Sequence, residues 1–197
     1  MPLNLDAAEA RTLGSLIEKA FTTPEQYPLS FNALLNACNQ KTSREPVMEL
    51  SVDALGKGLA QLAEKGLARE RLGSRVPKYA HYAEHLGAGD SPEILGILCL
   101  LLLRGPQTAA ELRVRTERIA QFPSTEAVES ALQKLLEHPN GPFVARLPRG
   151  RFQQLFSGEA PAAFTPAPAS PDRLAELEKR LSALELRCEA LEKRLSP

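Results

Sequence analysis

Basic side chains gather in two short segments of this sequence, each of which has the pattern of a β-hairpin. The first hairpin, residues 67–82, carries four cations and one acid, and the second hairpin, residues 143–156, carries three cations and no acid. Guanidinium and ammonium groups donate hydrogen bonds to phosphate oxygens, so this pattern predicts contact with a nucleic-acid backbone. Charged strand edges also prevent edge-to-edge aggregation, and this structural interpretation stays open. The candidate phosphate-binding residues are Arg69, Arg71, Arg75, Lys78, Arg146, Arg149 and Arg151.

The predicted helix before each hairpin is the element that would meet the bases. In the first, Lys57 and Gln61 fall on the outward face, where Gln61 could bind adenine and Lys57 a guanine or a phosphate. The corresponding helix before the second hairpin presents three acids, which would repel phosphate: Glu126, Glu129 and Glu137. The two predicted helices are therefore not expected to do the same work.

The overall charge argues against a polycation. Lys and Arg number 24 and Asp and Glu number 24, and they balance again within residues 1–87, 88–160 and 161–197. Tight non-specific binding to nucleic acid depends on clustered cations that neutralise phosphates. Any such binding here must therefore come from local patches such as the two hairpins.

Residues that could perform catalysis or bind a metal are sparse. The three cysteines are widely spaced without a CxxC pair, and His81 lies in a predicted strand, so it shares no helical face with His85. The sequence has neither a glycine-rich phosphate loop nor a nucleophile elbow. We expect a protein that is not an enzyme and that needs no cofactor and no metal.

The elements that position the basic residues occur twice in the same order. Three helices and a hairpin are predicted for residues 1–87 and again for residues 88–160, with Ser or Thr caps at matching places: Ser30 and Thr108, Ser51 and Ser124. This order is typical of a winged helix-turn-helix. The predicted fold is mainly α with small β-hairpin wings (α+β), arranged as two tandem winged-helix domains.

The first predicted helix of the second half, residues 94–103, is apolar almost all round. A surface helix has one apolar stripe, so this helix is expected to be covered on more than one side. It would lie either between the two halves or at a subunit interface.

The C-terminal segment is predicted to be a linker followed by a coiled coil. Residues 161–171 are rich in Pro and Ala, and residues 172–197 form regular heptads with Glu at every e and Arg at every g position. This arrangement favours a parallel homodimer, because an antiparallel pair would set Arg against Arg, and Leu at both the a and d positions leaves a trimer open. A helix that folds back on its own domains, or frays, is the alternative. The oligomerisation residues are Leu174, Leu177, Leu181, Leu184, Cys188, Leu191 and Leu195.

The connection between the second and third helices, residues 38–48, has the sequence CNQKTSREPVM. Together with the RVPKY segment at residues 75–79, it resembles the YceH-like family of uncharacterised bacterial proteins. The resemblance implies tandem winged helices in a cytoplasmic protein and does not indicate an activity. The connection is either a partner-binding surface or a turn that fixes the third helix. Its candidate partner-binding residues are Asn39, Gln40, Lys41, Arg44 and Glu45.

Two functions remain open at this point. One is a DNA-binding regulator that presents the basic hairpins of a parallel dimer to double-stranded DNA. The other is an adaptor that uses the same scaffold to bind another protein. The N-terminus does not resemble a signal peptide, and the longest apolar run is about half the ~20 residues that span a bilayer, so a cytoplasmic location without membrane contact is expected.

Overall fold

The order of elements predicted for each half is confirmed by a computed structural model of the chain, which describes residues 3–71 and 75–157. The fold is mixed α+β, with six α-helices and two antiparallel three-stranded sheets in the described residues. The helices of the first half are α1 (Ala7–Thr22), α2 (Phe31–Cys38) and α3 (Val52–Glu64), and those of the second are α4 (Pro92–Arg104), α5 (Ala109–Arg115) and α6 (Thr125–Leu136). The linker at 161–171 and the coiled coil at 172–197 lie outside the described residues.

Each helix begins where its sequence provides a cap. Side chains of Asp6, Ser30, Ser51, Ser91 and Thr108 accept backbone N–H groups in the first turns of α1 to α5, and Ser124 does the same for α6. These N–H groups have no partner within the helix, so each cap removes an otherwise unsatisfied donor. The helix starts predicted at Ser30, Ser51, Thr108 and Ser124 are therefore confirmed.

Each sheet contains one strand that the sequence pattern did not reveal. The predicted hairpins form as β2 (Ala68–Arg71) with β3 (Lys78–His81) and β5 (Val144–Leu147) with β6 (Arg151–Gln154). In addition, β1 (Leu29–Ser30) pairs with β3, and β4 (Gln107–Thr108) pairs with β6. Two residues are too few to show a period of two, which is why alternation could not predict these strands.

The two halves pack together through α1 and α4, which lie in one unit spanning Met1–Ala160. Every residue from Leu95 to Leu103 is buried, as expected for a helix covered on several sides. The N-terminal segment adds a second connection, because the Leu5 N–H donates to the Phe156 carbonyl at 2.6 Å. No helix in the described part of the chain is both long and apolar enough to cross a membrane.

The connection between α2 and α3 is held by two buried arginines. Arg11 donates to the carbonyls of Cys38 (3.1 Å) and Pro46 (2.6 Å), and Arg44 donates to the Ala37 carbonyl through two nitrogens. These carbonyls include those that end α2, so the guanidinium groups satisfy acceptors that the helix leaves unpaired. The connection is thereby fixed against α1.

Arg44 also forms a two-point ion pair with Glu18 of α1. Its two terminal nitrogens lie 3.1 and 2.6 Å from the carboxylate oxygens, and the Arg44 side chain is fully buried. Burial by itself would raise the pKa of Glu18. The hydrogen bonds and charge of Arg44, with a smaller contribution from Lys19, outweigh it, and the pKa lies below its ordinary value.

The close approach of α1 and α4 gives a first prediction. A Cβ added at Gly14 would lie 2.9 Å from Leu103 Cγ and 3.2 Å from Leu102 Cβ, whereas one added at Gly56 of α3 would meet nothing within 4 Å. Gly14→Ala is expected to lower the free energy of unfolding by about 1–2 kcal/mol, since it overpacks the helix contact. Gly56→Ala is expected to raise it by up to about 1 kcal/mol, since Ala is the better helix former. Urea unfolding followed by circular dichroism measures both, and equal effects would contradict the packing described.

The Glu18–Arg44 pair gives a second prediction, which depends on pH. Because the folded pKa of Glu18 is lowered, its stabilisation is present above the unfolded pKa and is lost as pH falls through the folded pKa. Glu18→Gln is expected to cost about 3 kcal/mol at neutral pH, because it leaves the buried Arg44 charge without a countercharge. The difference from the native protein should then shrink below about pH 4.

Urea unfolding at a series of pH values tests this, with Glu49→Gln as the matched control. Glu49 is exposed, so its substitution is expected to change the free energy of unfolding by less than about 0.5 kcal/mol throughout. A Glu18→Gln difference of constant size from pH 7 to pH 3 would show that the ion pair is not its cause.

Candidate nucleic-acid interface

The first hairpin presents two arginines side by side on the same face of β2. Arg69 and Arg71 are both exposed, and their guanidinium carbons lie 5.0 and 5.6 Å from the centre of the Tyr82 ring. A ring at this distance attracts a cation through its face and leaves the N–H edges of the guanidinium open. Neither guanidinium group has a hydrogen-bond or ion-pair partner among the described residues. Both are therefore available to an anionic ligand.

The other two cations of this hairpin are placed differently. Lys78 is half-buried in β3, where it lies between Arg71 and Ser30 in the strand register, and Arg75 is exposed in the connection. Of the four predicted residues, the structure thus brings Arg69, Arg71 and Lys78 onto one sheet. Sequence reasoning did not predict Tyr82 as their support. An aromatic residue next to a strand of alternating arginines is the signal that could have found it.

Helix α3 lies next to this hairpin. Gly56, Ala60 and Ala63 of α3 face Arg69 and Tyr79 across a shallow groove of about 270 Å³.

The predicted base-reading residues of α3 are four positions apart, so they share one face of the helix. Lys57 is exposed. Gln61 is half-buried, and its Oε1 is a buried acceptor without a hydrogen bond. The arrangement provides one cation and one amide on a helix that adjoins the basic hairpin.

The second hairpin repeats the support of an arginine by an aromatic ring. Arg146 of β5 is exposed and lies 5.2 Å from the ring centre of Phe152, its partner across the sheet. Arg149 lies at the hairpin tip with φ of 62°, followed by Gly150 with φ of 68°. Arg151 is exposed, but it donates to the Pro106 carbonyl at 3.0 Å. The first two arginines are open to a ligand, and the third is partly engaged.

Helix α6, which precedes the second hairpin, is acidic on its exposed face. Glu126 and Glu129 on the helix and Glu137, the residue just after it, are all exposed. A hydrogen bond from Ser124 is the largest of the effects that lower the pKa of Glu126, so this carboxylate stays charged at neutral pH. The predicted difference between the helices that precede the two hairpins is thus present in the structure.

The candidate partner-binding residues of the α2–α3 connection separate into two groups. Gln40, Lys41 and Glu45 lie at the surface. Asn39 exchanges two hydrogen bonds with the backbone of Leu50, at 2.9 and 2.7 Å. Arg44 is buried.

Asn39 and Arg44 therefore hold the turn, as the structural interpretation of this segment expected. Because Arg44 is buried, it is not available to a partner, and the prediction that it belongs to a binding surface is wrong. The signal that sequence reasoning lacked is the distant Glu18, 26 positions earlier. Among the described residues no group of three His, Cys, Asp or Glu side chains is arranged to hold a metal.

Comparison with known proteins places the chain in a family. A family profile described as "Protein of unknown function, DUF480" matches residues 5–152. The chain is 44% identical to a UPF0502 protein of Aeromonas hydrophila, over 100% of this chain and 98% of that protein. It is 47% identical to one of Yersinia pseudotuberculosis, over 85% of this chain and 76% of that protein, and 42% identical to one of Saccharophagus degradans, over 91% and 90%. The chain therefore belongs to the DUF480 (UPF0502) family of bacterial proteins, and the YceH-like resemblance found in residues 38–48 and 75–79 is confirmed.

Proposed function

We propose that this protein is a cytoplasmic, non-enzymatic DNA-binding regulator built from two tandem winged-helix modules, residues 1–87 and 88–160. The element order of the structure supports the proposal, since three helices followed by a hairpin occur twice. In winged helices that bind DNA, the third helix enters the major groove and the hairpin contacts the backbone or minor groove. A fold by itself does not determine a function, so the residues of the site have to support this one.

The main support for the proposal is that arginines of the two hairpins are exposed and unpaired among the described residues. Arg69, Arg71 and Arg146 are exposed and rest on aromatic rings, and their guanidinium groups have no hydrogen-bond or ion-pair partner within the described part of the chain. Cations that serve only to protect a strand edge need no such support. A guanidinium held in place over a ring loses less side-chain freedom when it binds a phosphate, which favours binding.

The two modules would contribute unequally. In the first, Lys57 and Gln61 of α3 adjoin the basic hairpin and could meet base edges. In the second, the acidic face of α6 would be repelled by a phosphate backbone, and only the hairpin remains suited to DNA. We infer that the first module binds the major groove and that the second supports it through Arg146 and Arg149.

A salt series tests the DNA-binding proposal. Binding of the native protein to a labelled random-sequence duplex is expected to weaken as KCl rises, because binding releases counterions from the phosphates. Arg69→Ala/Arg71→Ala removes two phosphate contacts and should lower the slope of log K against log salt by about two. Fluorescence anisotropy between about 50 and 200 mM KCl measures the slope.

The matched control removes one arginine and one lysine from the exposed surface of the second module. Arg113→Ala/Lys134→Ala has the same charge change, but these residues lie on α5 and α6 outside the hairpins. It should leave the slope within about half a unit of the native value. If the slope falls equally in both variants, net charge and not the first hairpin governs binding. If the native protein does not bind the duplex at low salt, the proposal is rejected.

We further propose that residues 172–197 pair two chains as a parallel coiled coil. The support is in the sequence, where g-position arginines would face e-position glutamates of the other chain, as in Arg180 with Glu185 and Arg187 with Glu192. A dimer would present two copies of the basic hairpins to one duplex. Simultaneous engagement of both copies would raise the affinity well above that of one.

Two leucine substitutions distinguish a coiled coil from a merely helical tail. Leu184→Asp places a charge at a d position and should convert the dimer to a monomer, whereas Leu186→Asp, at an f position of the heptad, should leave the dimer intact. Sedimentation velocity of the full chain measures the mass of each variant. A native chain that sediments as a monomer, or two variants that behave alike, would contradict the proposal.

An adaptor that binds another protein is the second candidate. The three exposed glutamates on and just after α6 favour this candidate. They complement a basic partner surface and would repel DNA. Under this alternative the exposed Lys41 and Glu45 and the half-buried Gln40 would join the docking surface. Absence of DNA binding at low salt in the test above would select this candidate.

A further inference from the structure

A cavity of about 360 Å³ lies where the two halves of the unit meet. Its walls are the C-terminal ends of α1 and α4, the segment that follows α5, and residues 40–43 of the α2–α3 connection. None of the residues assigned to DNA contact lines it. The DNA-binding proposal therefore leaves this cavity unexplained.

The side chains that line the cavity are strongly cationic in a protein with no net charge. Glu18 is the acid among the described lining residues, and it is already engaged by Arg44. Counting Glu18 against the lining cations leaves four positive charges in excess. The five cations are Lys19, Lys41, Arg104, Arg115 and Arg118.

Three of these cations have N–H groups without an acceptor among the described residues. The Nε of Arg104 is buried without a hydrogen bond, and Lys41 and Arg118 are exposed without a partner in the described part of the chain. Burial, and then the nearby charges of Arg115 and Arg44, lower the pKa of Arg104 and outweigh the opposing effect of Glu18 and Glu45. A buried donor without an acceptor costs free energy that a bound anion would recover.

Helix ends explain part of this cluster but not all of it. Lys19, Arg104 and Arg115 lie in the last turns of α1, α4 and α5, where the carbonyl ends of the helices favour cations. Arg115 also hydrogen-bonds to Gln107 and lies 3.6 Å from Glu111. Lys41 and Arg118 belong to no helix, so helix ends do not account for them.

We propose that this cavity binds the phosphate group of a small molecule. Its volume is that of a small-ligand pocket, and guanidinium groups match the oxygens of phosphate in paired hydrogen bonds. The hydroxyls of Thr42 and Ser43 add neutral donors, and Leu100 and Ile119 supply a small apolar wall for the rest of the ligand. The ligand connects the first half, through Lys41, to the second half, through Arg118.

Titration with pyrophosphate at constant ionic strength, set with KCl, tests the proposal. Pyrophosphate is expected to bind the full-length protein in calorimetry and to raise its melting temperature, because it binds the folded state. Lys41→Ala/Arg118→Ala alters exposed residues without partners, so it should fold normally and weaken pyrophosphate binding at least ~10-fold. Arg113→Ala/Lys134→Ala, with the same loss of charge elsewhere, should change the affinity less than about 2-fold.

The remaining outcomes distinguish a failure of this proposal from a failure of the DNA-binding proposal. Absence of binding by the native protein, or equal weakening in both variants, would show that the cavity is not a phosphate site. If Lys41→Ala/Arg118→Ala weakens binding to duplex DNA and the native protein does not bind pyrophosphate, the phosphate belongs to a nucleic-acid backbone instead. Pyrophosphate binding by a protein that fails to bind DNA would uphold this proposal and reject only the DNA-binding one.

Discussion

The contact of α1 with α4 is the constraint on which the rest of this structure depends. Gly14 allows Leu102 and Leu103 to approach the α1 backbone closely, and the thiol of Cys99 lies 3.3 Å from the Gly14 carbonyl. Because α4 is apolar on nearly every side, it would be insoluble as a surface helix and has to be covered by α1 and the second half together. The two halves thus share one core, and neither half buries α4 by itself.

The α2–α3 connection depends on the same contact. The Glu45 N–H donates to the Leu103 carbonyl at 2.9 Å, close to the end of α4, and Glu18 on α1 holds Arg44 from the other side. The connection sets the direction in which α3 leaves, and α3 adjoins the first hairpin. Hydrogen bonds therefore link the contact of α1 with α4 to the connection that precedes α3.

The sequence predicted the parts of this fold that depend on neighbours in the chain. Helix starts followed from caps such as Ser30 and Thr108, and the hairpins followed from alternation between turn residues. The burial of Arg11 and Arg44 could not be predicted in this way, because the carbonyls and the carboxylate that compensate each charge lie as many as 35 positions away. The cavity is the extreme case, since Lys19 and Arg118 come together only after the two halves have packed.

The unequal halves then have a common physical explanation. The two halves have the same order of elements, but α4 is buried from Leu95 to Leu103 and leaves little of its surface free. Under the two proposals, the acidic surface of α6 repels phosphate on one side of the second half, while Arg115 and Arg118 attract phosphate on another, next to residues 40–43 of the first half. If the first half binds DNA, a small anion at this junction would contact the very connection that positions α3, and the second half would serve as the part that senses the ligand.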